Sequence, residues 1–197
     1  MSIIAHEFYD RPALDVARDL LGSRLVRVQS GQRLAGLIME TEAYQGEEDL
    51  GCHASAGKTP RTAVMYGPPG HAYVYFTYGM HWMLNVVTSP VDTPAAVLIR
   101  AIRPEEGTTL MAKNRPYNAL KSGWTDGPAK LTQALKITDV FNAVDLCTKE
   151  NNLWIEPGEV IPEGCVSQKA RIGLNSVPEP WLSIPWRFVV DQGACYG

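Results

Sequence analysis

The chain has 197 residues, 45% of them apolar, with 18 basic and 21 acidic side chains and a formal net charge of −3. This length and apolar content can supply one buried core, and no shift in composition divides the chain, so we expect a single domain over residues 1–197. The acidic balance excludes a surface that is basic throughout, and any contact with nucleic-acid phosphates must be local.

The sequence also excludes a membrane protein. No stretch approaches the ~18 to 20 uninterrupted apolar residues of a membrane helix. The N-terminus lacks the basic-then-apolar order of a signal peptide. We therefore expect the cytoplasm and no membrane partner.

The four cysteines, Cys52, Cys147, Cys165 and Cys195, are widely scattered. They form no Cys-x-x-Cys pair, and no two histidines stand at helical spacing, so neither a zinc knuckle nor a disulfide framework is indicated. We expect reduced thiols.

Turn residues and apolar spacing divide the first half of the chain into helices and strands. Pro12 suits the first turn of a helix, and Gly22 suits its end. The polar residues 45–58 indicate a loop, after which Thr59 and Pro60 can cap and open a short helix. The other predicted elements are a helix at 10–22, strands at 23–28 and 36–44 joined by a turn at 30–32, and strands at 72–77 and 82–87 joined by a tip at 78–80.

The second half is predicted in the same way. A buried strand at 95–102 contains Arg100, and Pro104 begins a helix to about residue 113. Further predictions are an irregular segment at 117–126, a helix at 127–135 whose start can meet an anion, and short strands near 153–156, 170–174 and 187–190. Strands grouped as hairpins among scattered helices predict an α+β fold: a mostly antiparallel curved sheet, surrounding helices and a protruding β-hairpin.

Two acids share one face of the second predicted strand, because alternate residues of an extended chain point the same way. Glu40 and Glu42 would lie ~6.5 to 7 Å apart at the backbone, a spacing compatible with two-carboxylate hydrolysis of a glycosidic bond. A single carboxylate could instead activate one water. The third interpretation is a solvated acid or half of an ion pair.

Aromatic side chains accompany these acids. Tyr44, His53 and Tyr75 can stack around a flat ring, since stacking needs only a π-face. Ordinary core packing is the alternative. A metal at His53, beside Cys52, lacks partner ligands, so we expect no metal and no cofactor.

The hairpin tip presents Tyr78 and Met80 on either side of a glycine. Apolar wedges of this kind are inserted between base steps by proteins that distort or flip DNA bases. A tip folded back on the protein, or an interface with another subunit, explains the pattern equally well.

Five basic residues are candidates for phosphate contacts: Lys58, Arg61, Arg100, Lys130 and Arg171. The alternative is that they are scattered surface charges.

A series of motifs recurs in order along the chain: Glu40-Thr-Glu42-Ala-Tyr44, His53, Thr59-Pro-Arg61, Pro69-Gly70-x-x-Tyr73-Val-Tyr75-x-x-Tyr78-Gly79-Met80, Asn85, Leu98-Ile-Arg100-Ala and Gly127-Pro-x-Lys130-Leu. Over residues 5–190 this series resembles the alkyladenine (3-methyladenine) DNA glycosylase family. The resemblance implies a monofunctional base-excision repair enzyme, without a cofactor, whose partner is double-stranded DNA carrying a damaged purine. Such an enzyme flips the purine out of the duplex and hydrolyses its N-glycosidic bond, and we expect a monomer.

Matching positions imply roles for individual residues. Glu42 corresponds to the general base, so we expect its carboxylate to face a cavity that water can enter, while Glu40 has no catalytic counterpart. The resemblance implies that Tyr44, His53 and Tyr75 form the base pocket and that Asn85 obstructs the amino group of guanine. It implies that Tyr78 and Met80 intercalate and that Arg100 supports the water and a nearby phosphate. Contact with the DNA backbone is implied for Thr59, Arg61 and Lys130.

The chain departs from the family pattern in places. Residues 89–94 lengthen the segment between Asn85 and Arg100, and His81-Trp82 stand where other aromatics often occur. Both departures concern the hairpin and its tip. The absence of the long N-terminal extension of animal members suggests a bacterial or minimal form. Two other functions remain open: a damage-binding module without catalysis, and an enzyme for free nucleosides or sugars.

Overall fold

A computed structural model describes residues 2–115 and 123–196. Within these ranges eight strands form one curled antiparallel sheet, in the order β3-β4-β5-β2-β1-β6, with β8 paired to β2 and β7 to β8. The strands are β1 Arg24–Gln29, β2 Gln32–Gln45, β3 Ala72–Thr77, β4 His81–Val87, β5 Ala95–Glu106, β6 Leu153–Glu156, β7 Val166–Lys169 and β8 Arg187–Val190. The predicted α+β class is confirmed.

Helices surround this sheet. The α-helices are α1 His6–Tyr9, α2 Ala13–Asp19, α3 Thr108–Asn114, α4 Pro128–Ala134 and α5 Gln192–Tyr196. Short 3-10 helices lie at His53–Ala56, Ala63–Tyr66, Asp139–Phe141 and Glu163–Cys165. In the described ranges no helix combines the length and apolar character required to cross a membrane.

The long strand β2 is the centre of the sheet and pairs with β1, β5 and β8. A tight turn joins it to β1, because Ser30 and Gly31 both adopt positive φ, as a two-residue hairpin requires. The Thr41 hydroxyl donates to the Ala17 carbonyl of α2 at 2.7 Å, on the face where α2 packs. Glu42 and Tyr44 consequently point to the opposite face, as the alternation predicts.

The predicted helix at 10–22 is shorter in the structure. Pro12 is its N-cap, with an extended ψ of 139°, and α2 begins at the next residue. The chain leaves the helix before Gly22, whose φ is +81° and which has no room for a side chain, since a Cβ there would lie 2.1 Å from the Glu159 carbonyl oxygen. Both ends therefore follow from the residues that the sequence indicated.

Two predicted helix starts are wrong. Residues 104–106 continue β5 instead of opening a helix, because they pair with β2 and because Glu106 accepts from Arg33 at 3.0 Å; α3 begins only after Gly107. Thr59 and Pro60 form a turn, with the Thr62 N–H donating to the Thr59 hydroxyl at 3.2 Å, and the helical turn starts at Ala63.

Two further expectations need correction. The strand expected at 170–174 is absent from the described residues there: β7 lies at Val166–Lys169, and the next residues turn inward to the site described below. The expectation of reduced thiols is wrong for Cys165 and Cys195, which form a disulfide with their Cα atoms 5.5 Å apart, while Cys52 and Cys147 are free. Residues 117–122 of the predicted irregular segment lie outside the described residues.

Candidate active site

A cavity of about 270 Å³ opens beside the end of β2 that carries Tyr44. It is slightly smaller than most pockets for small molecules, ~300 to 1,000 Å³, and its size suits a compact ligand. Strands β2 to β5, the loop around residue 52 and the segment 172–174 enclose it. Its lining residues are Tyr44, Gly51, Cys52, His53, Met65, Tyr73, Tyr75, Thr77, Tyr78, Met83, Asn85, Ala96, Leu98, Arg100, Pro128, Ile172, Gly173 and Leu174.

Glu42 lies directly behind the residues that line this cavity. One carboxylate oxygen, Oε1, accepts from the Ile172 N–H at 2.7 Å. The other, Oε2, accepts from the Tyr44 hydroxyl at 2.8 Å and is 3.1 Å from Nη1 of Arg100. Three cavity-lining residues thus hold the carboxylate in one orientation.

The carboxylate of Glu42 is not open to the cavity in this structure. Its side chain has no exposed surface, because Tyr44, Arg100 and Ile172 cover it. The expectation that it faces the cavity directly is therefore wrong: it lies one layer deeper. Any water that reacts with it must first replace one of these partners.

Burial raises the pKa of Glu42 above its ordinary value, since removal from water disfavours the charged form. The Arg100 guanidinium, the Ile172 N–H and the Tyr44 hydroxyl all oppose this effect by stabilising the anion. The site therefore combines a buried carboxylate with hydrogen-bond donors that keep the pKa of Glu42 from rising further.

Arg100 also holds the second acid of the strand. Its Nε donates to Oε1 of Glu40 at 2.8 Å, and Arg187 donates to the same oxygen at 3.0 Å. Glu40 is thus an ion-pair partner and is not among the residues that line the cavity. This arrangement favours a single reactive carboxylate over the two-carboxylate hydrolysis.

The aromatic residues form one wall of the cavity. The rings of His53 and Tyr75 meet edge to face at 4.5 Å, and Tyr73 lies 5.4 Å from Tyr75. The Arg61 guanidinium lies 5.1 Å from the centre of the Tyr75 ring. The sequence grouped Tyr44, His53 and Tyr75, and the structure places all three on the cavity, together with Tyr73.

His53 is neutral at physiological pH. Burial, together with the nearby Arg61 charge, lowers its pKa to about 4. Nδ1 of His53 lies 3.0 Å from the Tyr73 hydroxyl, and Nε2 lies 3.5 Å from an Arg61 nitrogen. The cavity therefore presents an uncharged imidazole.

A buried ion pair supports the opposite wall. Arg171 binds both oxygens of Asp49, at 2.5 and 2.7 Å, and both side chains are fully buried. The same guanidinium lies 4.7 Å from the Tyr44 ring and donates to the Ala43 carbonyl at 3.0 Å. Arg171 is consequently not available to a phosphate, and the pair fixes the segment that carries Ile172.

Sequence reasoning missed Asp49 and Ile172. An acid in a polar loop has no distinguishing pattern, and Ile172 acts through its backbone N–H, which no residue type encodes. In the sequence, Arg171 is simply a basic residue beside the apolar Ile172, which indicates neither the ion pair nor the backbone contact.

Asn85 lines the cavity and is buried. Its amide nitrogen donates to the Tyr73 carbonyl on the neighbouring strand at 3.0 Å. This bond fixes the side chain against the aromatic wall.

The β3–β4 hairpin ends in an exposed apolar tip, as predicted. Tyr78 and Gly79 both have positive φ, and the Met80 N–H closes the turn onto the Thr77 carbonyl at 3.2 Å. Tyr78 is 77% exposed and Met80 64%, so the tip is not folded back on the protein. Tyr78 also borders the cavity.

Of the remaining candidates for contact with the DNA backbone, Lys58, Arg61 and Lys130 are exposed and Thr59 is half-buried. The Lys130 ammonium donates to the Gly123 carbonyl at 2.9 Å near the start of α4, where Pro128 borders the cavity. Thr59 shares a hydroxyl hydrogen bond of 3.0 Å with Thr62, and Lys58 pairs with Asp92 at 3.5 Å.

Comparisons with known proteins define the class as DNA glycosylase. A family model described as methylpurine-DNA glycosylase matches residues 7–194. A protein of Methanocella arvoryzae named "Putative 3-methyladenine DNA glycosylase" is 46% identical over 99% of this chain and 96% of its own length. A protein of the same name from Myxococcus xanthus is 47% identical over 96% of this chain and 91% of its own.

The chain therefore belongs to the methylpurine-DNA glycosylase family. This membership confirms the resemblance drawn from the motifs.

Proposed function

We propose that this protein excises alkylated or deaminated purines from duplex DNA by hydrolysis of the N-glycosidic bond, leaving an abasic site. The observation that supports the proposal most is the Glu42 carboxylate, held by three donors directly behind an aromatic-walled cavity. A flat base can occupy such a cavity, and the carboxylate can stabilise positive charge on the sugar.

The chemistry needs little more than this. Alkylation at a ring nitrogen makes the purine cationic and a good leaving group, so the barrier falls when a carboxylate stabilises the sugar cation and orients a water. Glu42 is the proposed general base, and Arg100 the residue that positions it and keeps it ionised. No lysine nucleophile enters this scheme, so the proposed enzyme is monofunctional.

Water must reach Glu42 for this reaction. We assign the entry point to Oε2, because the Tyr44 hydroxyl can leave it by a side-chain movement alone. The Ile172 N–H belongs to the backbone, and Arg100 is also bound to Glu40. The Tyr44 side chain would make this movement when a flipped base stacks on its ring. Tyr44 therefore has two proposed tasks, in the base pocket and over the carboxylate.

Tyr44→Phe tests the entry point. It keeps the ring and removes the hydroxyl from Oε2, so excision at alkaline pH should persist. Loss of this donor raises the Glu42 pKa. As the pH is lowered, the variant should therefore lose activity at a higher pH than the parent protein does. Loss of excision at every pH in a folded Tyr44→Phe variant would contradict the assignment.

The other residues have proposed roles in recognition. His53 and Tyr75 contact the flipped base together with Tyr44, and Asn85 stands where the amino group of a normal guanine would meet it. Tyr78, with Met80 beside it, fills the space that the purine vacates, since exposed apolar side chains at a tip suit insertion between base steps. Thr59, Arg61 and Lys130 are proposed to contact the DNA backbone.

Glu42→Gln is the decisive experiment. The amide keeps the shape but cannot act as a base, so the variant should bind duplexes with a single damaged purine and not excise it, measured as alkali-labile sites over a panel of lesions. Glu150→Gln, the same change on the exposed surface, is the matched control. Retained excision by Glu42→Gln would refute the mechanism, and absence of excision by the parent protein on every lesion would favour a binding module.

Tyr78→Ala separates duplex repair from hydrolysis of free nucleosides. The loss of the wedge should weaken excision from duplex DNA, because the vacated stack is no longer filled. Val160→Ala, an exposed apolar residue outside the tip, should leave excision unchanged. Turnover of free nucleosides that is indifferent to Tyr78→Ala would support the nucleoside enzyme.

A further inference from the structure

Away from the proposed active site, two histidines and an aspartate converge. One ligand atom each of His6, His71 and Asp145 lies within 4.8 Å of the others. Nε2 of His6 and Oδ1 of Asp145 are 3.1 Å apart. These residues are distant in the chain and do not line the cavity.

The spacing fits a metal ion. Ligand nitrogens and oxygens lie ~2.0 to 2.2 Å from zinc, and two ligands of a tetrahedral ion are then ~3.3 Å apart, close to the separation between His6 and Asp145. A set of two imidazoles and a carboxylate suits zinc and other late transition metals. We propose that His6, His71 and Asp145 bind one divalent ion of this class.

The surrounding backbone orients the proposed ligands. Nδ1 of His71 lies 3.4 Å from the Pro69 carbonyl, a contact that leaves Nε2 for a metal. The Cys147 N–H donates to Oδ1 of Asp145 at 2.7 Å. His71 and Asp145 are also joined by an antiparallel backbone bridge, so two of the three ligands are held in register.

Gly70 makes room for this convergence. Its φ is +83°, and a Cβ there would lie 2.6 Å from Sγ of Cys147 and 3.2 Å from the His6 ring. No larger residue fits between α1 and the segment that carries Asp145. The site would join α1 to the start of β3, the strand that carries Tyr73 and Tyr75, and would stabilise the fold without taking part in excision.

The simpler interpretation is an ion pair between His6 and Asp145, with His71 as a neighbour at 6.0 Å between ring centres. Substitution of His71 distinguishes the metal site from the ion pair, because it removes a metal ligand and leaves the contact between His6 and Asp145 intact. No metal-ligand spacing marks these residues in the sequence, because the fold alone brings the three together.

The experiment uses the full chain, purified without a polyhistidine tag and treated with a chelator. Titration with Zn²⁺ should give one bound ion per chain by calorimetry. At free Zn²⁺ about 100 times its Kd, the Tm should rise by about 5 to 10 °C.

His71→Asn should lose this binding and the shift in Tm, whereas His81→Asn, a histidine outside the cluster, should keep both. Asp145→Asn is the second ligand variant, and circular dichroism of the chelated proteins checks that each variant folds. Absence of one-to-one binding in the parent protein, or binding that His71→Asn and Asp145→Asn leave unchanged, would overturn the proposal. Neither result depends on excision, so the site and the proposed function are tested separately.

Discussion

Asp49→Asn is expected to destabilise the protein strongly. Asp49 and Arg171 are both fully buried, and the two carboxylate oxygens accept from two guanidinium nitrogens. The substitution has almost no effect on volume. It removes the negative charge and leaves a buried arginine without its counter-ion.

The magnitude follows from this burial. Removing one partner of a buried pair costs ~3 to 5 kcal/mol, because the remaining charge stays desolvated. For a chain of this size each kcal/mol lowers Tm by ~2 to 4 °C, which predicts a fall of ~6 to 20 °C. The contacts of Arg171 with Tyr44 and Ala43 keep the guanidinium in place, so relief by turning outward is small.

Urea unfolding at neutral pH, followed by circular dichroism, measures the change in free energy of unfolding. Asp92→Asn is the matched control: the same chemical change in an exposed pair with Lys58, expected to cost ~0 to 1 kcal/mol. Replacing both partners, with Arg171→Met added to Asp49→Asn, should recover part of the loss. Equal losses for Asp49→Asn and Asp92→Asn would refute the reasoning.

Three other predictions concern the site. Arg100→Gln should move the acidic limb of the excision pH profile to higher pH, because Arg100 offsets the burial that raises the Glu42 pKa, and an unshifted limb would contradict this. Glu40→Gln should lower kcat ~10- to 100-fold with little change in KM, because Arg100 loses a charge-assisted hydrogen bond worth ~1.5 to 3 kcal/mol. An unchanged kcat would exclude a role for Glu40 in positioning Arg100. The imidazole of His53, followed by NMR, should stay neutral down to about pH 4. The free energy of unfolding should fall as the pH is lowered from about 6.5 to 4, because the histidine is protonated in the unfolded chain before it is protonated in the folded one. Titration of His53 near pH 6.5 in the folded protein would contradict the effect of burial.

Much of the fold follows from local patterns in the sequence. The alternation in β2 places Glu42 and Tyr44 on one face, and Ser30-Gly31 fixes the turn before them. The tip at Tyr78 was readable because a glycine between two large apolar residues marks a turn. These features depend on neighbours in the chain, which is why sequence was sufficient.

The failures depend on contacts between distant residues. The pairing of Cys165 with Cys195 joins residues 30 apart in the chain and depends on how the segments that carry them pack together. The extension of β5 past Pro104 is decided by its partner strand, since Pro104 lacks the N–H of an ideal strand but still pairs with Gly36 at a register shift. Local propensity predicted a helix start there, and pairing with β2 overrode it.

The covered carboxylate has a chemical consequence. A water left permanently beside Glu42 would keep the anion solvated, whereas the Tyr44 hydroxyl holds Oε2 dry until the cavity changes. Burial raises the free energy of the anion, and a cationic sugar would relieve that cost, which favours the transition state over the resting state. The donors on Glu42 limit the effect, because they oppose the rise in its pKa that burial causes, and a protonated carboxyl cannot serve as a base. The balance between burial and Arg100 therefore sets both the strength and the pH range of the proposed reaction.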